Sequence, residues 1–278
     1  MTILEEIIAH KLKEVKKAKK SPLEGLESYE KRTPLSLRKA FAAKRGMGLI
    51  AEFKRHSPSK GTINSTSGVK EVTQGYVGAM ATALSVLTDH DFFGGTLQDL
   101  MIAREANPLT PILRKDFIID PFQITEAKRC GADIILLIAE CLTETQVADY
   151  AKFAKDLGLS VLLEIHNEEQ LEKYTSHVDA VGINNRDLKS FKVSVEQSIK
   201  LFSKLPKEAL AISESGISDP TTAVRLLEAG FNGLLIGEQF MKSKNPAEEC
   251  DAFVSEVMRF QYMNQPKPTQ LRNPLKWK

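Results

Sequence analysis

The chain predicts an α/β fold, a (β/α)8 TIM barrel with an N-terminal helical extension. Three observations point there. Short apolar, β-branched segments ending in polar residues recur eight times, their starts roughly 20 to 35 residues apart. Longer stretches of helical character lie between them, and strands alternating with helices at this spacing form βα units of a parallel sheet. An open doubly wound sheet would carry a GxGxxG turn after its first strand, and the sequence has none. Eight strands in about 190 residues, ending near Gln239, fit a barrel of ~250 residues with its extensions.

Residues 1–45 form the extension, expected to cap the barrel. Ile3, Leu4, Ile7, Ile8, Leu12 and Val15 recur at helical spacing. The basic run HKLKEVKKAKK is therefore read as the solvated face of a helix rather than a patch for nucleic acid or membrane. SPLEGLESYEKRTP reads as a linker leading to a short second helix. The barrel, residues 46–262, opens with the strand LIAEFK. ALSVLTD, PILRKDF, DIILLIAE, SVLLEIH, AVGINNRD, LAISESG and GLLIGEQ follow.

Three of the intervening helices carry end signals. PFQITEAKRCGAD starts with proline and has glycine near its end. TETQVADYAKFAKDLGLS starts with threonine and a Glu/Gln-rich turn and stops at Gly158. SDPTTAVRLLEAGFNG sets Ser218 and Asp219 before Pro220 and closes at Gly230. The tail, residues 263–278, is basic and contains proline, and is expected to be loosely ordered.

Composition narrows the function. With 42% apolar and 27% charged residues the chain is an ordinary soluble globular protein. A net charge of +2 is too small to suggest a nucleic-acid partner. Three cysteines, an odd count with no CxxC, argue against a disulfide framework or a zinc site and fit a reducing cytoplasm. No apolar run has the length of a membrane span, and the first residues lack the apolar core of a signal peptide. A cytoplasmic monomer or weak homodimer is expected.

In a barrel the strand ends carry the chemistry, and residues two apart on a strand share a face. Five strands end in polar groups on such faces: Glu52 with Lys54, Lys115 with Phe117, Glu164 with Leu162 and His166, Asn184 with Arg186, and Glu214 with Gly216. Any one of these could be an ordinary polar strand end. Glu52 and Glu164, however, sit inside apolar runs, and charges are rarely buried without partners. Together they suggest one polar mouth with Lys54, Lys115 and Arg186 against Glu52, Glu164 and Glu214. Such a set binds an anion and keeps acids and bases at hand. Apolar walls and like neighbours are expected to raise a glutamate's pKa, and nearby cations to lower a lysine's.

Two glycine turns, SESGIS and LIGEQF, follow the seventh and eighth strands, where barrels commonly cradle phosphate on backbone N–H groups. Gly216 and Gly237 would permit close approach. HExxH, GxSxG, P-loop and dinucleotide motifs are absent. Ser57 is a chain neighbour of His56, an arrangement that rarely makes a dyad. No metal or redox cofactor is expected.

LIAEFKRHSPSKG resembles the signature of the indole-3-glycerol phosphate synthase family, E-[apolar]-K-x-x-S-P-S. ALSVLTDHDFFGG, PILRKDFIIDPFQI, ADIILLIAECL, VLLEIHNEEQLE, VGINNRDLKSFKV, AISESGI and LLIGEQFM resemble that family's segments in the same order, from the N-terminal helix to about Pro246. The resemblance implies a cofactor-free carboxy-lyase of tryptophan biosynthesis. Its substrate would be an anionic phosphosugar, 1-(2-carboxyphenylamino)-1-deoxyribulose 5-phosphate. The products would be indole-3-glycerol phosphate, CO2 and water.

By resemblance, Lys115 is the general acid that activates the ketone. Lys54 binds anionic groups, with acid duty in a later step as a second role. Glu164 is the general base or stabilises the cationic intermediate. Glu52 sits beside them, and Asn184 orients Glu164 or the substrate. Arg186 and Glu214 complete the polar network. Ser57, Lys54, Ser215, Gly216, Gly237 and Glu238 map to the phosphate end. Leu87, Phe93 and Phe117 map to the pocket for the anthranilate ring.

Some positions depart from the family pattern. Glu140 stands where a small or apolar residue is usual and is expected to point outward. Gln239 and Phe240 replace a commoner Ser or Ala and Leu. No fused isomerase domain follows, which implies a monofunctional enzyme. The rival functions are another phosphosugar barrel, such as phosphoribosylanthranilate isomerase, and a non-catalytic phosphate-binding subunit.

Overall fold

The computed structural model describes residues 2–20, 29–44, 46–187 and 192–264. Its eight parallel strands close on one another in chain order. They are β1 (Leu49–Phe53), β2 (Ala83–Leu87), β3 (Ile112–Lys115), β4 (Ile134–Ile138), β5 (Ser160–Ile165), β6 (Ala180–Asn184), β7 (Leu210–Glu214) and β8 (Gly233–Ile236). Closure sets Leu49 opposite Leu234 and Ala51 opposite Ile236. Each expected strand is present but loses one to three residues at its polar C-terminal end, where the chain leaves the sheet to build the mouth. After β1 a short antiparallel ribbon pairs His56–Ser57 with Gly61–Thr62.

The helices are α1 (Ile3–Ala18), α2 (Leu37–Ala42), α3 (Val69–Gly78), α4 (Leu97–Ala106), α5 (Pro121–Arg129), α6 (Glu144–Asp156), α7 (Val195–Phe202), α8 (Pro220–Glu228), α9 (Glu238–Met241) and α10 (Pro246–Asn264). The end signals act as the sequence suggested. Thr143 and Gln146 form a capping box on α6. Asp120 and Asp219 cap α5 and α8, each ahead of a proline. Between β5 and β6 the cover is a 3₁₀ turn, Glu169–Lys173, not an α-helix. Leu171 packs against the core there with Tyr174, three residues on, which suits three residues per turn.

The core has two layers. Leu49, Ala51 and Phe53 face outward against the helices, while Ile50 faces the barrel axis with Leu113, Leu136, Leu162, Ile212 and Leu235. α2 stops the bottom of the barrel with Leu37 and Phe41. Gly48 and Gly233 admit that plug, since a Cβ on either would lie 2.5–2.6 Å from the Phe41 ring.

The N-terminal helix corrects one expectation. Lys11, inside the supposedly solvated basic run, has no exposed surface, whereas Leu12, assigned to the apolar stripe, is 59% exposed. The buried stripe is Ile7, Lys11 and Val15, four residues apart, because carboxylates of the barrel meet Lys11. No helix among the described residues is long and apolar enough to cross a membrane. Of the proposed linker, residues 21–28 lie outside the described residues; of the proposed tail, only Met263 and Asn264 lie inside, as the end of α10.

Candidate active site

Four of the inward columns are apolar toward the bottom and carry a charged residue at the upper end. Ile50 is followed by Glu52, Leu113 by Lys115, Leu162 by Glu164 and Ile212 by Glu214, all two residues on. Barrel closure turns these ends toward one another. Lys115 Nζ lies 3.0 Å from Glu164 Oε2 and 4.0 Å from Glu214 Oε2. Asn184 Nδ2 donates to Glu164 Oε1 at 2.9 Å. Lys54 Nζ pairs with Glu52 Oε1 at 3.0 Å, and Ser85 Oγ donates to Glu52 Oε2 at 3.4 Å. Arg186 Nη2 lies 3.2 Å from Glu238 Oε2, and the Arg186 backbone N–H donates to Asn184 Oδ1.

Two glycines make room for carboxylates. A Cβ at Gly182 would lie 1.9 Å from Glu214 Oε1, and one at Gly237 would lie 2.7–3.0 Å from Glu52. Glu52, Glu164 and Glu214 are thus buried, at 5%, 3% and 1% exposure, without leaving the axis.

Neighbours across the barrel set the charges of Lys115, Glu164 and Glu214. Burial would lower the Lys115 pKa, but Glu164, Glu214 and Glu52 outweigh it and hold the ammonium well above its usual range. Burial would raise Glu164, but Lys115, His166 and the Asn184 hydrogen bond hold it well below. Glu214 keeps the opposite sign: burial first, then repulsion by Glu164, push it up to about 8. The expected directions therefore hold for Glu214 and fail for Lys115 and Glu164. The groups closest to the buried lysine are carboxylates, not cations.

The cleft has two compartments that share Glu52, Lys54, Arg186 and Ser215. One is lined by Ser215, Gly216, Gly237 and Glu238, with Ser218 and Lys242. Its turn holds two successive residues in the left-handed region, Ser215 at φ 68° and Gly216 at φ 66°. That conformation is costly for serine and is typical of a functional site. The other compartment is walled by Leu87, Phe93, Phe117 and Ile138, with the Phe93 and Phe117 rings 5.9 Å apart. Ile3, Leu4 and Ile7 of α1 complete that wall. Lys115, Glu164 and Asn184 line its polar side.

All the residues singled out from the sequence meet at this cleft, with two adjustments. Glu214 lies beneath it rather than on its surface. Ser57, expected at the phosphate end, lines the apolar compartment with Pro58 and Ser59, its hydroxyl buried without a partner. The ribbon after β1 turns it that way.

Glu140 is exposed and accepts from Gln170, outside the cleft. Phe240 is fully buried against Tyr76 and Phe253, and Gln239 donates to Glu249. Arg55 turns outward to Asp99 at 2.6 Å.

Sequence reasoning missed two contributions. The extension was expected to cap the barrel, but helical periodicity marks a buried face without saying what buries it, so it did not show that α1 walls the cleft. His166 did leave a signal, since it alternates onto the face of Glu164; its Nε2 is 3.5 Å from Glu164 Oε1, and neither ring nitrogen has a hydrogen-bond partner.

Comparison with known proteins gives the family. The family model described as Indole-3-glycerol phosphate synthase matches residues 4–253. An indole-3-glycerol phosphate synthase of Bacteroides thetaiotaomicron is 47% identical over 260 residues, covering 92% of this chain and 98% of that one. One of Salinibacter ruber is 44% identical over 261 residues, covering 92% and 96%. A solved 3-hexulose-6-phosphate synthase from Salmonella typhimurium superposes with a TM-score of 0.61 at 14% identity, over 77% of this chain and 99% of that one, a likeness of fold alone.

Proposed function

The chain belongs to the indole-3-glycerol phosphate synthase family, carboxy-lyases of tryptophan biosynthesis that act on a phosphorylated substrate, and from that premise we propose how its side chains divide the work. The observation that carries the assignment is the Lys115–Glu164–Asn184 group on the polar side of an apolar compartment that opens, past Glu52, Lys54, Arg186 and Ser215, onto a glycine-lined one. The substrate, 1-(2-carboxyphenylamino)-1-deoxyribulose 5-phosphate, has matching ends. Its anthranilate ring enters between Phe93, Phe117 and Leu87. Its phosphate meets the backbone of Ser215, Gly216, Gly237 and Glu238, with Arg186 and Lys54 alongside. Ser57 contributes at the ring end.

The reacting ketone then falls near Lys115. This ammonium, held protonated by its glutamates, gives a proton to the ketone oxygen as the ring carbon attacks. The carboxylate departs as CO2, and its electrons pass to the iminium formed on closure. Loss of the hydroxyl as water needs a second proton, from Lys54 or Lys115. Glu164 takes the ring proton and restores aromaticity. Asn184 fixes the Glu164 rotamer, and Glu52 orients Lys54. Starting from the trianion, one proton is consumed overall. Much of the rate comes from holding the two carbons together, since both substrate ends are fixed. Glu214, largely neutral near pH 7, lies beneath Lys115 and leaves Glu164 as the ionised partner of the ammonium.

The reading includes a cytoplasmic monomer or weak homodimer with no nucleic-acid partner, consistent with the net charge of +2. Supplying the carboxyphenylamino-deoxyribulose phosphate and following indole fluorescence tests the activity. A folded protein that yields no indole-3-glycerol phosphate would sink it.

A further inference from the structure

Lys11 sits in the middle of α1, fully buried, where an apolar residue would be usual. Its Nζ is 2.8 Å from Asp89 Oδ2, 3.0 Å from Asp116 Oδ1 and 2.8 Å from Glu14 Oε2. Asp89 and Asp116 are themselves 1% exposed. Asp89 lies two residues beyond β2, and Asp116 directly follows Lys115. Both carboxylates also hold backbone. Asp89 Oδ1 accepts from the Phe92 N–H at 2.9 Å, and Asp116 Oδ1 accepts from the Phe117 N–H at 2.8 Å. Asp116 Oδ2 is held in turn by Thr88 and Arg114.

One ammonium is thus joined, through one carboxylate each, to the loop bearing Phe93 and to the loop bearing Phe117. The same lysine lies one turn along α1 from Ile7 and two turns from Ile3 and Leu4. These are three separate pieces of the apolar compartment's wall. A buried ion pair adds little net stability over well-packed apolar residues, so stability alone is a weak reason for a lysine here. Registry is a better one. An apolar seam tolerates sliding and rotation of a helix, whereas a cation between two fixed carboxylates has a single seat.

We propose that Lys11 is a positioning residue for the aromatic end of the substrate, joining α1 to the loops after β2 and β3 and so setting the width of the ring pocket. The inference rests on the assignment of that compartment to the anthranilate ring. Lys11 touches neither substrate nor the reacting atoms; it acts through Ile3, Ile7, Phe93 and Phe117.

The test uses the full chain, with N-methylanthranilate as a competitive probe of the ring end and inorganic phosphate as a probe of the other. In Lys11→Met, KM and the N-methylanthranilate inhibition constant should each rise about tenfold, with kcat within about threefold and phosphate inhibition unchanged. A purely stabilising lysine would lower the melting temperature and leave the ratio of the two inhibition constants as it was, which would overturn the proposal. Equal weakening at both ends would overturn it too. Should Lys11→Met not fold, Asp89→Asn decides, since its amide oxygen still accepts from Phe92 and Lys11 keeps two carboxylates. It should raise the ring-end constant about threefold and leave phosphate alone, and an unchanged ratio there counts against the proposal. An unaltered protein without turnover would instead overturn the functional assignment, and this inference with it.

Discussion

Lys115 and Glu164, at the ends of strands that are not neighbours in the barrel, meet 3.0 Å apart, and each sets the other's charge. The lysine stays protonated because of the glutamate; the glutamate stays ionised because of the lysine. An acid and a base are thereby held ready within one hydrogen bond of each other, beside an amide that fixes the glutamate.

Lys115→Ala should lower kcat about 10²- to 10⁴-fold, the range of a general acid. Circular dichroism should show the barrel intact. Near-full turnover in the folded variant would remove Lys115 from the acid role.

Asn184→Ala should act through Glu164. Losing the 2.9 Å hydrogen bond frees the carboxylate to rotate and removes one cause of its low pKa, so kcat should fall about tenfold and the acid limb of the pH–rate profile should move to higher pH. An acid limb that stays put would mean the amide serves the substrate instead.

Glu214 predicts a pH dependence of stability. Its folded pKa is raised from 4.5 to about 8, so between those values the folded protein keeps a proton that the unfolded chain has released. That contribution is complete below 4.5 and is lost as pH rises through about 8. Glu164 has the opposite sign: its contribution is present above 4.5 and lost as pH falls through about 2, so it does not compete near neutrality. Melting temperatures from pH 5 to 9 should therefore fall less steeply for Glu214→Gln than for the unaltered protein. Parallel curves would show that the Glu214 carboxyl is not held neutral.

Gly182→Ala adds a methyl group 1.9 Å from Glu214 Oε1 and 2.9 Å from its Cδ. The glutamate must move, and the 4.0 Å approach to Lys115 moves with it. Activity should fall at least tenfold while stability drops about 1–3 kcal/mol, the usual cost of overpacking. Wild-type kinetics would show that Glu214 tolerates displacement.

Phe41→Ala separates fold from chemistry. The ring plugs the end of the barrel opposite the cleft, and its loss should cost about 3–5 kcal/mol in denaturant unfolding. KM below the melting transition should be unchanged. A raised KM would show that the plug transmits strain along the strands.

The strands and helix caps were legible because both are local properties. A β-branched run ending in polar residues needs only its own chain to be read, and so does a threonine three residues before a glutamine. The cover between β5 and β6 was less legible, because the 3₁₀ turn Glu169–Lys173 buries a polar residue, Gln170, and packs Leu171 with Tyr174 just beyond it, so it has no helical apolar stripe of its own. Lys11 was misread for a related reason. Helical periodicity assigns a residue to a face, and a lysine in a basic run looks solvated until two aspartates from other strand ends are brought to it.

By itself the sequence determined which side chains point into the barrel, since alternation sends Glu52, Lys115, Glu164, Asn184 and Glu214 to one face of their strands whatever those strands pair with. Only the tertiary structure decided which of them meet. Closure and stagger of the eight strands set Lys115 against Glu164 rather than against Lys54, left Glu214 neutral beneath them, and laid α1 across the mouth. Those distances of 3 to 4 Å join residues tens of positions apart, and at such distances electrostatics depends on neighbours in space rather than in sequence.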